Sequence, residues 1–302
     1  MSETAAHNLS DLYAELAAGG LVRRLFEIAR DEDLGPDGRD LTGELMPGPQ
    51  RESAAVVRAR EPVIVSGLAA VAELLDVFEA EAGVEMLASD GQELGSGAEV
   101  MRLEGAADQI VRVERTLLNI LGRLAGIAAL TQHYTDRVAG RAELLDTRKT
   151  TPGLRVLEKY AVACGGGTPH RLGLHDAVLI KDNHLAGMTP HEIAAWLGKV
   201  SGRARESGAA FVQVEVDTLD QFRAVLGCDA GTVDFVLLDN MTTEQLAAAV
   251  SLRDNAGSAV RLEASGGITL ETIDAVAGTG VDRISVGALT RDARSADFGL
   301  DR

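Results

Sequence analysis

Apolar positions follow two regimes along the chain, and the change comes near Gly140. Before it, Leu12, Leu16, Leu21, Leu25 and Ile28 recur at helical spacing and predict helix from Leu9 to Arg30, divided at Gly19-Gly20. Asp31 to Gln50, rich in Gly, Pro and Asp, reads as loop. Short strand patterns follow at Ala54–Arg60, Pro62–Ser66, Val84–Ala88 and Ala98–Leu103, with a helical stretch over Leu68–Ala82. Ala107 to Ala139 is one long helical pattern carrying a stripe at Arg112, Arg115, Asn119, Gly122 and Gly126. Two readings of that stripe stand side by side: a solvated face, or a face packed on another subunit with the glycines permitting close approach.

After Gly140, six runs rich in Val, Leu and Ile are separated by helical lengths: Glu143–Asp146, Ala177–Lys181, Phe211–Val216, Asp234–Leu238, Val260–Ala264 and Arg283–Val286. Their start-to-start spacings of 34, 34, 23, 26 and 23 residues are βαβ distances, so a parallel sheet wound by helices is expected. In such folds the chemistry collects at the carboxyl ends of the strands. Here those ends read Thr147-Arg148-Lys149, Lys181-Asp182-Asn183-His184, Glu215-Val216-Asp217, Asp239-Asn240, Ser265-Gly266-Gly267 and Gly287-Ala288, which points to a functional rim.

Composition narrows the chemistry. With 46% hydrophobic and 25% charged residues, the 302-residue chain is globular, and a net charge of -17 with only 3% aromatics argues against nucleic acid and anionic membranes. The start, Met1 to Ser10, lacks the basic and apolar regions of a secretory signal, and Leu117–Leu130 is too short and too polar to span a bilayer. Cys164 and Cys228 form no metal or redox spacing, so a cytoplasmic protein is expected. Against this acidic background, Arg141 to His184 holds seven basic and five acidic residues, a local excess that calls for carboxylate or phosphate ligands. Only four of the 29 bases are lysine, yet Lys149 and Lys181 both sit at strand ends. Glu215 and Asp239 end neighbouring strands in sequence and are candidates to hold Mg²⁺ or to pair with those lysines. Ser265-Gly266-Gly267 and Gly287 occupy the usual phosphate position after the last barrel strands. Calcium, zinc and dinucleotide motifs are not formed by the acids of Asp31–Gln50, by the six histidines or by Gly165-Gly166-Gly167.

The ordered segments ERTLLNILGRLAGIA, DTRKTTPGLRVLEKYAVACGGG, HRLGLHDAVLIKDNH, VEVDT, VLLDN, EASGGI and VGALT resemble those of the quinolinate phosphoribosyltransferase family over nearly the whole chain. The resemblance implies an α/β fold, an incomplete TIM-like barrel over residues 118–291 and a smaller α/β sandwich over 1–117, rejoined by the tail 292–302. It implies transfer of phosphoribosyl from phosphoribosyl pyrophosphate to quinolinate with loss of CO₂, giving nicotinate mononucleotide in NAD synthesis with Mg²⁺. By matching positions, Arg148, Lys149, His170, Arg171 and Lys181 would hold quinolinate, and Arg115 would come from the second subunit of a homodimer. Glu215 and Asp239 would serve ribose and metal, while Thr147, Ser265, Gly266, Gly267, Val286, Gly287 and Ala288 would line the remainder. Lys149, Lys181, Glu215 and Asp239 carry the expected catalytic roles. Two departures stand out: Pro169, which deletes a backbone donor before the His-Arg pair, and Arg291, where the family often has histidine. A paralogous group linked to molybdenum transport shares the proline, but LIKDNH favours the transferase. Two other readings of the residues are a Schiff-base lyase on Lys181 and a barrel that binds anions without turnover.

Overall fold

The computed structural model describes residues 8–45, 51–185 and 187–302. The first seven residues of the segment read as no signal, and the last five of the expected loop to Gln50, lie outside them. In chain order the elements are α1 (Leu9–Ala17), α2 (Leu21–Leu34), α3 (Leu41–Leu45), β1 (Glu52–Ala59), β2 (Val63–Ile64), α4 (Val71–Val77), β3 (Ala82–Met86), β4 (Glu93–Leu94), β5 (Glu99–Ala106) and α5 (Ala107–Val138). There follow β6 (Glu143–Leu145), α6 (Arg155–Cys164), β7 (Val178–Ile180), α7 (Asp182–Leu185), α8 (Pro190–Glu206), β8 (Val212–Val216), α9 (Leu219–Leu226) and β9 (Phe235–Asp239). The last are α10 (Thr243–Asn255), β10 (Arg261–Ser265), α11 (Ile273–Ala277), β11 (Arg283–Ser285), α12 (Ala288–Arg291) and β12 (Phe298–Asp301).

The chain forms two compact units. One runs to Gln132 and takes in Thr150–Gly166 and Leu289–Arg302; the other comprises His133–Lys149 and Gly167–Ala288. The first unit thus takes in α5 as far as Gln132. The segment 150–166 and the chain from Leu289 also belong there.

In the first unit an antiparallel sheet runs in the order β12-β1-β5-β3, with β2 and β4 as a separate pair. The C-terminal strand pairs with β1, Val57 opposite Leu300 and Ala59 opposite Phe298. Gly20, at φ +69°, separates α1 from α2. The helix α2 continues to Leu34, into the expected loop: Val22 and Phe26 are buried, Asp33 accepts from the Thr116 hydroxyl at 2.9 Å, and Gly35 at φ +66° stops it. The helix expected over Leu68–Ala82 is shorter. Gly67 at φ +106° starts a 3₁₀ turn before α4, and Glu79 at φ +52° ends the segment ahead of β3.

The glycines of the α5 stripe have a partner inside the same chain. Ala296 N–H donates to the Gly122 carbonyl at 2.9 Å, and a Cβ on Gly122 would sit 2.6 Å from the Ala296 carbonyl oxygen. One on Gly126 would overlap the Arg294 carbonyl. The small residues thus admit the returning C-terminal segment of the same chain. Between them, Arg123 donates to Glu158 Oε1 at 2.8 and 3.1 Å, to the Ala293 carbonyl at 2.8 Å and to the Thr290 carbonyl. Glu158 is fully buried and also accepts from the Thr151 amide at 3.0 Å and hydroxyl at 2.8 Å.

The second unit holds all six expected strands in one parallel sheet, ordered β6-β11-β10-β9-β8-β7. Among the described residues no ladder joins β6 to β7, so the barrel is incomplete, and a bridge from Leu145 to Thr168 occupies the open edge of β6. Three helices start on reciprocal caps, Thr189 with Glu192, Thr218 with Gln221 and Thr242 with Gln245. The strands alternate: Val212, Val214, Val216, Val236, Leu238, Leu262 and Ala264 form one face and are buried. The other face carries Gln213, Glu215, Phe235, Leu237, Asp239, Arg261, Glu263, Ser265, Arg283 and Ser285 in mutual register. Gln213 Nε2 reaches Glu263 Oε2 at 2.9 Å past the intervening β9, and the Arg283 guanidinium lies 4.1 Å from the Phe235 ring centre past β10. The inner face is thus largely polar and the outer one apolar.

Removing one side of the Arg123–Glu158 pair leaves a buried charge uncompensated. Arg123→Ala is expected to destabilise the chain by about 3–5 kcal/mol. Urea unfolding followed by circular dichroism checks it, and a change below about 1 kcal/mol counts against the pair as an anchor.

Candidate active site

The sheet order, rather than the sequence order, sets which strand ends are neighbours. Travelling from β6 the ends meet as Thr147-Arg148-Lys149, Gly287, Ser265-Gly266-Gly267, Asp239, Glu215 and Lys181. The first and last of the expected strands therefore adjoin. Lys149 Cδ lies 2.9 Å and Thr147 Oγ1 3.6 Å from where a Cβ on Gly287 would stand. The absence of a side chain at Gly287 is what lets Lys149 lie against the end of β11. Val286 donates its amide to Leu145 at 2.9 Å, and Ala288 begins α12.

On the opposite side, Lys181 Nζ binds both oxygens of Glu215, at 3.0 and 3.2 Å. The lysine is about half exposed (52%) while Glu215 is 10% exposed. A solvated, ion-paired lysine lacks the desolvation that Schiff-base chemistry requires, which argues against the lyase reading. Between these sectors Asp239 Oδ2 accepts from Asn240 Nδ2 at 2.6 Å, and Asn240 N–H donates to the Ser265 carbonyl at 2.8 Å. Asn240 adopts φ +53° and Gly266 φ +96°; a Cβ on Gly266 would overlap Asn240 Oδ1 and lie 2.9 Å from its amide nitrogen. Gly267, at φ +62°, has open space where a Cβ would be. Asn240 was not among the expected site residues; its only sequence signal is its place directly after Asp239.

The seam beside β6 is filled by residues 168–171. Thr168 N–H donates to Leu144 at 2.7 Å and His170 N–H to Asp146 Oδ1 at 2.7 Å. Arg171 Nη1 donates to the Ala177 carbonyl at 3.0 Å. Burial first, and then the charge of Arg148, lowers the Arg171 pKa from the usual guanidinium range, so the two arginines feel each other across the seam. Arg148 Nε is buried without a hydrogen-bond partner, an unused donor beside a like charge. His170 is buried, with Nδ1 accepting from Arg171 N–H at 2.7 Å and Nε2 3.3 Å from Glu263 Oε1. Glu263, Gln213 and Arg283 beneath the rim were not among the expected residues. The alternation in VQVEV and RLEAS was the available signal, since a fully apolar barrel core would read as continuous hydrophobic runs.

Arg291 is paired with its neighbour Asp292 at 2.6 and 2.7 Å. Arg115 is exposed on α5, in the first unit. Among the described residues no group of three or more His, Cys, Asp or Glu is arranged to hold a metal by itself. A cavity of about 780 Å³ opens at the amino ends of the strands against Phe211, Phe235 and Arg261; it contains none of the candidate groups.

Profiles of the quinolinate phosphoribosyl transferase N-terminal and C-terminal domains match residues 40–125 and 127–301. The chain belongs to the quinolinate phosphoribosyltransferase family. The carboxylating nicotinate-nucleotide pyrophosphorylase of Mycobacterium leprae is 40% identical over 302 residues, covering 97% of this chain and 99% of that one. A probable enzyme of the same name from Bacillus subtilis is 36% identical, covering 89% of each. The solved nicotinate-nucleotide pyrophosphorylase of Francisella tularensis superposes with a TM-score of 0.81 at 35% identity, over 93% of this chain and 96% of that one. For this phosphoribosyltransferase the glycine geometry makes a graded forecast. Gly266→Ala combines strain with a clash on Asn240 and is expected to destabilise the chain more than Gly267→Ala, which bears only the strain of about 1–2 kcal/mol. Urea unfolding of the two variants compares them, and equal losses at both positions would refute the ranking.

Proposed function

We infer that the two sectors of the rim divide the substrates between them. The enzyme transfers the phosphoribosyl group of phosphoribosyl pyrophosphate to quinolinate and releases pyrophosphate and CO₂, leaving nicotinate mononucleotide for NAD synthesis. The single observation that supports the division is the adjacency of Lys149 and Gly287 on one side, with the Lys181–Glu215 pair on the other.

Ser265, Gly266, Gly267, Val286, Gly287 and Ala288 take the phosphate end, their backbone N–H groups approaching the anion where no side chain intervenes. Thr147 and Lys149 flank that end. The Arg148–Arg171 pair takes the carboxylates of the pyridine ring: two mutually repelling guanidiniums, one with an unsatisfied donor, gain most from a dianion. Lys181 reaches the same ring from the far side once ligand charge competes with Glu215. Glu215 and Asp239 serve the ribose.

The two carboxylates suit Mg²⁺, which takes one or two protein carboxylates and draws its other ligands from substrate phosphate and water. The ion would supply neutralisation of the pyrophosphate charge, with Glu215 and Asp239 holding it. As the bond from ribose C1 to pyrophosphate lengthens, Lys149 stabilises the growing negative charge and the two carboxylates favour the cationic carbon. The arginines fix the ring so that its nitrogen faces C1, a placement that contributes several kcal/mol by positioning alone. Bond formation makes the nitrogen cationic; the 2-carboxylate then leaves as CO₂, its electron pair remains beside N⁺, and a proton replaces it.

Arg115, exposed on α5, completes the site of the second subunit in a homodimer. The two cysteines are free, in keeping with a cytoplasmic location, and burial followed by the charge of Asp90 pushes the Cys164 thiol up to about 12. Among the described residues no helix is long and apolar enough to cross a membrane.

Incubation with quinolinate, phosphoribosyl pyrophosphate and Mg²⁺ should yield nicotinate mononucleotide and CO₂ in equal amounts; folded protein giving neither sinks the reading. Arg115→Ala and Lys181→Ala should each be nearly inactive. Unfolded and reassembled together they should recover about one quarter of wild-type activity, since half of the dimers then hold one intact site of two. No recovery removes Arg115 from a shared site.

A further inference from the structure

We propose that Asn240 is a positioning residue for the phosphoribosyl half of the site: its side-chain amide fixes the carboxylate of Asp239 against the Ser265-Gly266-Gly267 turn. The proposal rests on the reaction assigned above and gives a role to a residue that the strand-end pattern left without one.

Asp239 closes β9 on the inner face of the sheet, in register with Ser265 of β10. In a continuing strand the next side chain would point to the opposite face, away from that carboxylate. Asn240 instead adopts φ +53°, a left-handed conformation that asparagine tolerates better than most residues. Its backbone N–H still donates to the Ser265 carbonyl at 2.8 Å, so the chain stays tied to β10 while the side chain returns to Asp239. There Nδ2 donates to Asp239 Oδ2 at 2.6 Å. Oδ1 faces Gly266, where a Cβ would overlap it and stand 2.6 Å from Asn240 Cγ. Gly266 itself has φ +96°, so the turn is built on a residue without a side chain and the amide uses the space this leaves. One side chain thus meets both the carboxylate assigned to the ribose and the turn assigned to the phosphate, which lie on different strands. The amide removes rotational freedom from Asp239. A carboxylate already held in one orientation loses less entropy when the ribose reaches it.

The test separates the amide from the backbone that carries it. Asn240→Gly keeps the left-handed turn, which glycine adopts without strain, and deletes the amide. In calorimetric titration with phosphoribosyl pyrophosphate and Mg²⁺, without quinolinate, this variant is expected to bind about tenfold more weakly, with its urea unfolding midpoint close to that of the wild type. A lowered midpoint with unchanged affinity would make Asn240 a turn former only and overturn the proposal. The same titration on Asp239→Ala and on the double variant shows through which group the amide acts. Adding Asn240→Gly to Asp239→Ala should cost less than about a further twofold, because the effect passes through the missing carboxylate. Fully additive losses would mean that Asn240 meets the substrate itself, which overturns the positioning role. If the wild-type chain binds no phosphoribosyl pyrophosphate, the assigned reaction fails and this role with it; binding without coupling between Asp239 and Asn240 overturns this role alone.

Discussion

A carboxylate buried in the middle of a parallel barrel imposes conditions on everything around it. Burial alone would raise the pKa of Glu263, yet its contacts with the His170 ring, the Arg283 charge and the Ser285 hydroxyl outweigh that and hold it below the usual carboxylate range. Arg283 must in turn be compensated: burial pulls its guanidinium down, Glu263 and Glu143 oppose this, and the Phe235 ring covers one face at 4.1 Å. Because strand side chains alternate, placing these groups inward sends Val212, Val214, Val236 and Leu262 outward to form the apolar face. One period-2 pattern therefore satisfies both the buried charges and the hydrophobic core. A layer of interlocked polar groups tolerates little slippage between strands, so the groups one step higher, Asp239 and Ser265 in register with each other, inherit fixed positions.

The electrostatics of the rim oppose those of the whole chain. A net charge of -17 repels anions at long range, but salt screens that field beyond about 8–10 Å. Within that distance Arg148 and Arg171 repel each other. Such an arrangement is costly without a ligand and favourable with one, which is the sense in which a site is preorganised. The Lys181–Glu215 pair works the other way, being satisfied in the absence of substrate. Ligand charge must compete with Glu215 for the ammonium, so that sector gains less per contact than the arginine sector.

The six strands, their polar ends and the long α5 were legible because each rests on local pattern: runs of apolar residues, helical spacing and turn glycines. What could not be read locally was adjacency. Nothing near Lys149 indicates that its neighbour is Gly287, because parallel sheet order is set by crossovers between distant strands. Gly122 and Gly126 were open to two readings, a solvated face or an approach by another subunit, and neither named the chain's own residues 294–296, which lie against them. The extension of α2 to Leu34 depended on Asp33 meeting Thr116, a contact invisible to a reading that weighs only Gly and Pro. His170 shows the same limit at the level of chemistry. Its place in a motif suggests a ligand, and the sequence does not show that its ring would stand 3.3 Å from the buried Glu263.

Pro169 connects these points. It removes a backbone donor, and it does so beside the open edge of β6. Thr168 and His170 both direct their amides toward β6, to Leu144 and Asp146, and the Asp146 amide returns to the Thr168 carbonyl at 3.4 Å. In an extended segment alternate residues face one neighbour, so the residue between those two has no amide to offer on that side. Proline is tolerated at such edge positions, where the missing N–H breaks no ladder. It also narrows the backbone freedom of the residue before it, which favours the extended Thr168 that the bridge requires. The seam between β6 and β7 is thus closed by a segment whose proline, histidine and arginine each follow from one geometry: a strand-like edge with one face on β6, an imidazole against Glu263, and a guanidinium set against Arg148.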